Sequence, residues 1–129
     1  MHQPSALRIL VVEDLRDSAH AMALLLELWG YQSAVAYEGE RACEVATTFH
    51  PDVVFLDIGL PGIDGWQVAR QLRRLPGMAT ALLVAITGYG HKNDVQRSKE
   101  AGIDRHFVKP VDPDQLQLIL AKAENRQLY

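Results

Sequence analysis

The sequence predicts an α/β domain: a doubly wound, five-stranded parallel sheet with helices on both faces. Three observations carry this reading. Strand-like and helix-like patterns alternate about five times along 129 residues, without repeats, low-complexity segments or an obvious hairpin. The strand candidates 7–12, 53–56 and 81–86 are nearly continuous apolar runs, as expected where a parallel sheet is buried on both faces. Residues able to do chemistry collect where these strands end.

In chain order, a short polar start (1–6) leads to the first strand, 7–12, which stops at Glu13-Asp14. Leu15, Ala19, Met22, Leu26 and Trp29 then recur at helical spacing, and Gly30 stands where a helix end needs a residue free to take positive φ. Residues 31–37 alternate and carry β-branched character, which suggests a more exposed, edge-like second strand. A short second helix over 40–49 would turn Ala42, Val45, Ala46 and Phe49 inward before His50-Pro51-Asp52 breaks it. The third strand, 53–56, delivers Asp57 to a Gly/Pro loop.

Beyond Pro61-Gly62, Asp64 and Gln67 have N-cap and N3 spacing, and Val68, Leu72 and Leu75 continue a helical stripe as far as Pro76-Gly77. The fourth strand, 81–86, ends on Thr87-Gly88. The fourth helix, 91–101, is very polar, with Val95 and Ala101 among its few anchors, so it is expected to be weakly held and able to shift. Gly102 ends it, residues 103–108 form a short fifth strand, and Lys109-Pro110 follows. Asp112-Pro113-Asp114-Gln115 is a strong helix start, and Leu116, Ile119, Leu120 and Ala123 give the last helix its buried face. The domain is expected to span 7–124, with a short tail at 125–129.

With 48% apolar residues the chain supports one substantial core. A net charge of −3 argues against direct nucleic-acid binding. One cysteine, Cys43, allows no intrachain disulfide and no cysteine zinc cluster, and points to a reducing, cytoplasmic setting. There is no signal-peptide pattern and no apolar run long enough for membrane insertion.

Ligands of such sheets bind beyond the carboxyl ends of the strands, where strand order reverses. In the order 2-1-3-4-5, strands one and three are neighbours, which brings Glu13 and Asp14 beside Asp57, with Thr87 and Lys109 on the next strand ends. Three carboxylates repel unless a cation joins them, and oxygen ligands with open water positions suit Mg²⁺. A hydroxyl and an ammonium facing them form a pocket for a phosphoryl group, with Asp57 as the attacked or attacking group.

These motifs recur together and in order: Glu13-Asp14; Asp57 followed by Leu60-Pro61-Gly62-Ile63-Asp64-Gly65; Thr87-Gly88; Ala101-Gly102-Ile103-Asp104; and Lys109-Pro110. From about Leu7 to Ala123 the chain resembles a receiver domain of a two-component response regulator, of the chemotaxis-regulator type with a flavodoxin-like fold. The resemblance implies transfer of a phosphoryl group from a partner's phosphohistidine, on a histidine kinase or a histidine phosphotransfer protein, to Asp57. It implies Mg²⁺ held directly by Asp14 and Asp57, by Glu13 mainly through water, and by the backbone carbonyl of Gly59. Lys109 would pair with the phosphoryl group, Thr87 would swing toward it, and the Lys109-Pro110 bond would be cis. A changed face around the fourth helix, fifth strand and fifth helix would then be read by a downstream protein or output domain. No enzymatic activity is expected beyond phosphorylation and dephosphorylation of Asp57 itself.

The chain departs from the family's pattern at the switch position three before Lys109, where His106 replaces the common Tyr or Phe, so that charge there would depend on pH. Gly59 and Tyr89 stand at positions expected to alter the lifetime of the phosphorylated state. The wording around 87–90 and 106–112 resembles receivers attached to hybrid histidine kinases.

Blander readings exist for each residue alone. Asp57 could be a turn residue, Glu13-Asp14 a cap on the first helix, Thr87-Gly88 a turn and Lys109 a solvated charge. Their placement on successive strand ends decides against the bland readings of Asp57, Thr87-Gly88 and Lys109, whereas Glu13-Asp14 can cap the first helix and bind metal as well. Arg70, Arg73 and Arg74 read as a solvated helix face, Cys43 as helix packing, and His20, His50 and His91 as surface residues. Among other function classes, a haloacid-dehalogenase-like phosphatase would need a second Asp where Gly59 stands, and a dinucleotide-binding domain would need a Gly-x-Gly-x-x-Gly after the first strand. The remaining alternative is a pseudo-receiver that acts only as an interaction module.

Overall fold

The computed structural model describes residues 7–58, 64–88 and 92–127, with 92–95, 126 and 127 described by backbone only. Its elements are β1 (Arg8–Val12), α1 (Arg16–Leu28), β2 (Gln32–Ala36), α2 (Gly39–Phe49), β3 (Val53–Asp57), α3 (Gly65–Arg74), β4 (Leu82–Thr87), α4 (Lys92–Glu100), β5 (Arg105–Val108) and α5 (Pro113–Gln127). The five strands form one parallel sheet in the order β2-β1-β3-β4-β5. This is the expected topology, and it makes β1 and β3 neighbours at the point where strand order reverses.

Side-chain alternation along the strands splits the core into two layers. Leu10, Val12, Val54, Leu56, Leu83 and Ala85 pack with Ala42 and Ala46 of α2 and with Val68, Ala69 and Leu72 of α3. Ile9, Val11, Val53, Phe55, Val84 and Ile86 pack on the other face with Leu26 of α1 and Leu116, Ile119, Leu120 and Ala123 of α5. No helix among the described residues is long and apolar enough to cross a membrane.

Local chemistry sets most boundaries as anticipated. Gly30 ends α1 at φ +90°, and His50 takes a left-handed φ of 53° ahead of Pro51. The Asp64 carboxylate caps α3 by accepting from Gln67 N at 3.2 Å, and Asp112 accepts from Asp114 N at 2.9 Å at the start of α5.

Three expectations need correction. Leu15 is not part of the inward stripe of α1: it is the extended N-cap residue and is 53% exposed, because the helix starts one residue later. The fifth strand begins at Arg105 rather than at residue 103. The Asp104 carboxylate accepts from Leu83 N at 2.9 Å, so a side chain replaces a ladder bond there while Ile103 turns into the core.

Arg73 is the third, since it is not solvated. Its Nε donates to Gly102 O at 2.9 Å, Nη1 to the carbonyls of Met78, Ala79 and Ala81 at 3.0, 3.3 and 2.6 Å, and Nη2 to Asp104 Oδ2 at 2.6 Å. One guanidinium thus ties the end of α3 to the approach to β4 and to the α4–β5 turn, using the fixed fork of donors that a lysine lacks.

Candidate active site at the carboxyl edge of the sheet

Asp57 is the last residue of β3, and only 3% of it is exposed. It is a charged group at the end of an otherwise apolar strand, walled in by β1 and β4. Glu13 follows directly on β1 and is 7% exposed, with its backbone amide bound to Ala36 O at 3.0 Å and its Oε1 accepting from Leu15 N at 3.3 Å. The first turn of chain after β1 therefore fixes Glu13 against Asp57, to which its side chain is hydrogen-bonded.

The Lys109 ammonium donates to Asp57 Oδ2 and lies 3.9 Å from Glu13 Oε2. It reaches them from beyond β5, across β4. Lys109 N donates to Thr87 O at 2.7 Å, and the Lys109-Pro110 peptide bond is cis, as the sequence resemblance implied. Thr87 is 4% exposed and one residue beyond Ile86, the register partner of Asp57. The structure thus brings Glu13, Asp57, Thr87 and Lys109 together on successive strand ends.

The electrostatics follow from burial and crowding. Burial, the hydrogen bond to Asp57 and the Asp57 charge push the Glu13 carboxyl up to about 7, against the pull of Lys109 and the Leu15 amide. For Lys109 burial acts downward, but the hydrogen bond to Asp57 and the charges of Asp57, Glu13 and Asp14 outweigh it and raise the ammonium above its ordinary value. Among the described residues the Lys109 ammonium serves both Asp57 and Glu13, and Glu13 tends to keep its proton.

Asp14 sits beside this group, on the rim of a polar cleft of about 640 Å³ that Arg16, Glu38 and Asp64 also line. Its Oδ1 is buried and has no hydrogen-bond partner among the described residues. A buried carboxylate oxygen without a donor calls for a cation, and an all-oxygen donor set suits a hard one such as Mg²⁺. Among the described residues no three His, Cys, Asp or Glu side chains are already gathered around one point, since Lys109 bridges Glu13 and Asp57. The donors fit the ion, but they are not arranged as a finished cage.

Gly59, the expected carbonyl ligand, and Tyr89 lie outside the described residues, as do Leu60 to Ile63, Gly90 and His91. His106 is half-buried and pairs in register with Ala85 on β4. That places it on the same face of the sheet as Thr87, where the resemblance put the switch.

A profile of the response regulator receiver domain matches residues 9–121. The chain belongs to this family. It is a receiver domain, the phosphoacceptor switch of two-component signalling. The receiver domain is 31% identical over 110 residues to sporulation initiation phosphotransferase F of Bacillus subtilis, covering 85% of this chain and 87% of that protein. It is 36% identical over 109 residues to the DNA-binding response regulator MtrA of Mycolicibacterium paratuberculosis, covering 84% of this chain but 47% of that protein. The receiver domain thus spans about half the length of that relative. Among solved structures, the receiver domain of sensor histidine kinase PA1611 from Pseudomonas aeruginosa, with a magnesium ion coordinated in its active site cleft, superposes with a TM-score of 0.83 at 25% identity, covering 94% of this chain and 99% of that one.

Two contributions to this region had no usable signal in the sequence. One is the Leu15 amide, which anchors Glu13 from a residue whose side chain faces solvent. The other is a cleft of about 330 Å³ that runs from Glu13, Asp57 and Lys109 between α1 and α5, past Met22, Leu25 and Leu116. An amphipathic pattern tells which face of each helix is buried, not how closely two helices approach at one end.

Proposed function

We propose that Asp57 accepts the phosphoryl group, with Lys109 and Thr87 contacting it and Asp14, Asp57, Glu13 and the carbonyl of Gly59 serving the metal. The observation that carries this reading is the buried Asp57 carboxylate at the sheet edge, bound by Lys109 and pressed against Glu13. Bound Mg²⁺ would neutralise the negative charge of the carboxylates and of the three phosphoryl oxygens.

Asp57 Oδ attacks phosphorus as the nitrogen–phosphorus bond of a phosphohistidine breaks. The electron pair returns to the donor's imidazole, which takes up a proton. Lys109, already hydrogen-bonded to Asp57, follows the negative charge onto a phosphoryl oxygen, and the Thr87 hydroxyl donates to another. Attack of water on the acyl phosphate later restores the Asp57 carboxylate and releases inorganic phosphate.

Receiver domains interact with histidine kinases; the direct donor here is a histidine kinase or a histidine phosphotransfer protein. The α4–β5–α5 face is read by a downstream protein or output domain, and the net charge of −3 speaks against direct DNA contact by this domain. The test is intact mass after incubation with acetyl phosphate and Mg²⁺. A phosphoryl adduct on the wild type and none on Asp57→Ala is expected; an adduct on neither protein, or on both, overturns the assignment.

A further inference from the structure

We infer that Trp66 is a positioning residue: it latches α4 to the start of α3 in the unphosphorylated domain and has to release for α4 to move. The indole Nε1–H of Trp66 donates to Ser98 Oγ at 3.2 Å, and the Arg97 guanidinium lies 3.9 Å from the centre of the Trp66 ring. Ser98, in the last turn of α4, is 2% exposed, and among the described side chains of the helix its hydroxyl is a buried contact.

The composition of α4 explains why this contact matters. Its nine residues, Lys-Asn-Asp-Val-Gln-Arg-Ser-Lys-Glu, contain one apolar side chain, which gives the helix no apolar stripe to hold it down. Apolar contacts tolerate sliding. A hydrogen bond and a cation–π contact do not, because both depend on direction and a buried hydroxyl that loses its partner is costly. The described contact between α4 and α3 is therefore directional and does not slide.

Its position joins two outputs of the same site. Trp66 stands at the second residue of α3, reached by the loop that leaves Asp57, while α4 is reached by the loop that leaves Thr87. The two halves of the latch therefore follow, in chain order, the two strand ends that carry Asp57 and Thr87. A contact present in only one of two conformations shifts their ratio by its own strength. Phosphorylation and release of α4 are thereby coupled, an extension that rests on the proposed role of Asp57.

The latch itself is tested without phosphate, by hydrogen exchange of α4 amides in the metal-free domain. Ser98→Ala and Arg97→Gln are expected to exchange about five- to tenfold faster in α4, with β1 and β3 unchanged; unchanged α4 exchange in both variants would overturn the latch. Coupling is tested in a Trp29→Phe background, where Trp66 is the sole indole. Its emission is expected to shift on adding acetyl phosphate and Mg²⁺ when the phosphoryl adduct forms, and Ser98→Ala is expected to take up phosphate several-fold faster. An adduct without an emission shift overturns the coupling alone. Absence of any adduct on the wild type overturns the acceptor assignment and the coupling with it, while the α4 exchange result stands or falls separately.

Discussion

Lys109 and Asp57 form a hydrogen-bonded ion pair between the ends of two strands that are not neighbours, with β4 lying between them. The same ammonium is 3.9 Å from Glu13. Lys109→Ala would leave two buried carboxyl groups facing each other. Chemical denaturation of the metal-free protein is expected to show a loss of about 1–2 kcal/mol, discounted for the partial exposure of the lysine. Phosphate uptake from acetyl phosphate is expected to slow at least tenfold for want of a cation at the transferring oxygens.

The pH dependence of stability has a definite sign. Folded metal-free protein keeps the Glu13 proton up to about 7, whereas an unfolded chain releases it near 4.5. Between those values the folded state binds more protons, so stability falls as pH rises from about 5 through 7 and then levels off. Melting curves in EDTA should show this fall, and Glu13→Gln should flatten it. Added Mg²⁺ competes with that proton, so the stabilisation it confers should grow over the same interval. A wild-type slope equal to that of Glu13→Gln would refute the assignment of the proton to Glu13.

Arg73→Ala removes five hydrogen bonds that converge from the α3–β4 connection and the α4–β5 turn. Several carbonyls would lose a buried donor, and a loss of about 2–4 kcal/mol in urea unfolding is expected. Arg73→Lys should recover less than half of it, since a single ammonium cannot span the same set of acceptors.

Gly65 opens α3 where the chain passes closest to Ile58. A Cβ at that position would lie 2.9 Å from the Ile58 Cα and 2.8 Å from its Cγ1, and backbone cannot yield as a flexible side chain does. Gly65→Ala is expected to cost about 1–3 kcal/mol. Because Ile58 follows Asp57, it is also expected to slow phosphate uptake measured at a temperature where the variant remains folded. Uptake at the wild-type rate would show that the loop absorbs the shift away from the site.

What the sequence made legible was local or periodic. The apolar run Val53 to Leu56 and the spacing of Asp64 to Gln67 or Asp112 to Gln115 concern neighbours a few residues apart, and the structure follows them closely. The strand-end positions of Glu13, Asp57, Thr87 and Lys109 were legible for a related reason: strand order alone places them on one edge. Arg73 was not, because its partners Gly102 and Asp104 lie 29 and 31 residues away, and a helix of arginines looks the same whether or not carbonyls converge on it. The Trp66–Ser98 contact, 32 residues apart, was hidden in the same way. Leu15 misled because a one-residue difference in helix start turns an apparent stripe member outward.

The two apolar layers share a sheet but not a set of side chains. Register places Thr87 and His106 on the side of α2 and α3, where Trp66 also packs, and leaves α1 and α5 with a separate layer behind the strands. The sheet acts as a bulkhead. Because the two layers share no side chain, either one can be repacked while the other continues to specify the strand order, so a sequence change on one side of the sheet need not be matched on the other.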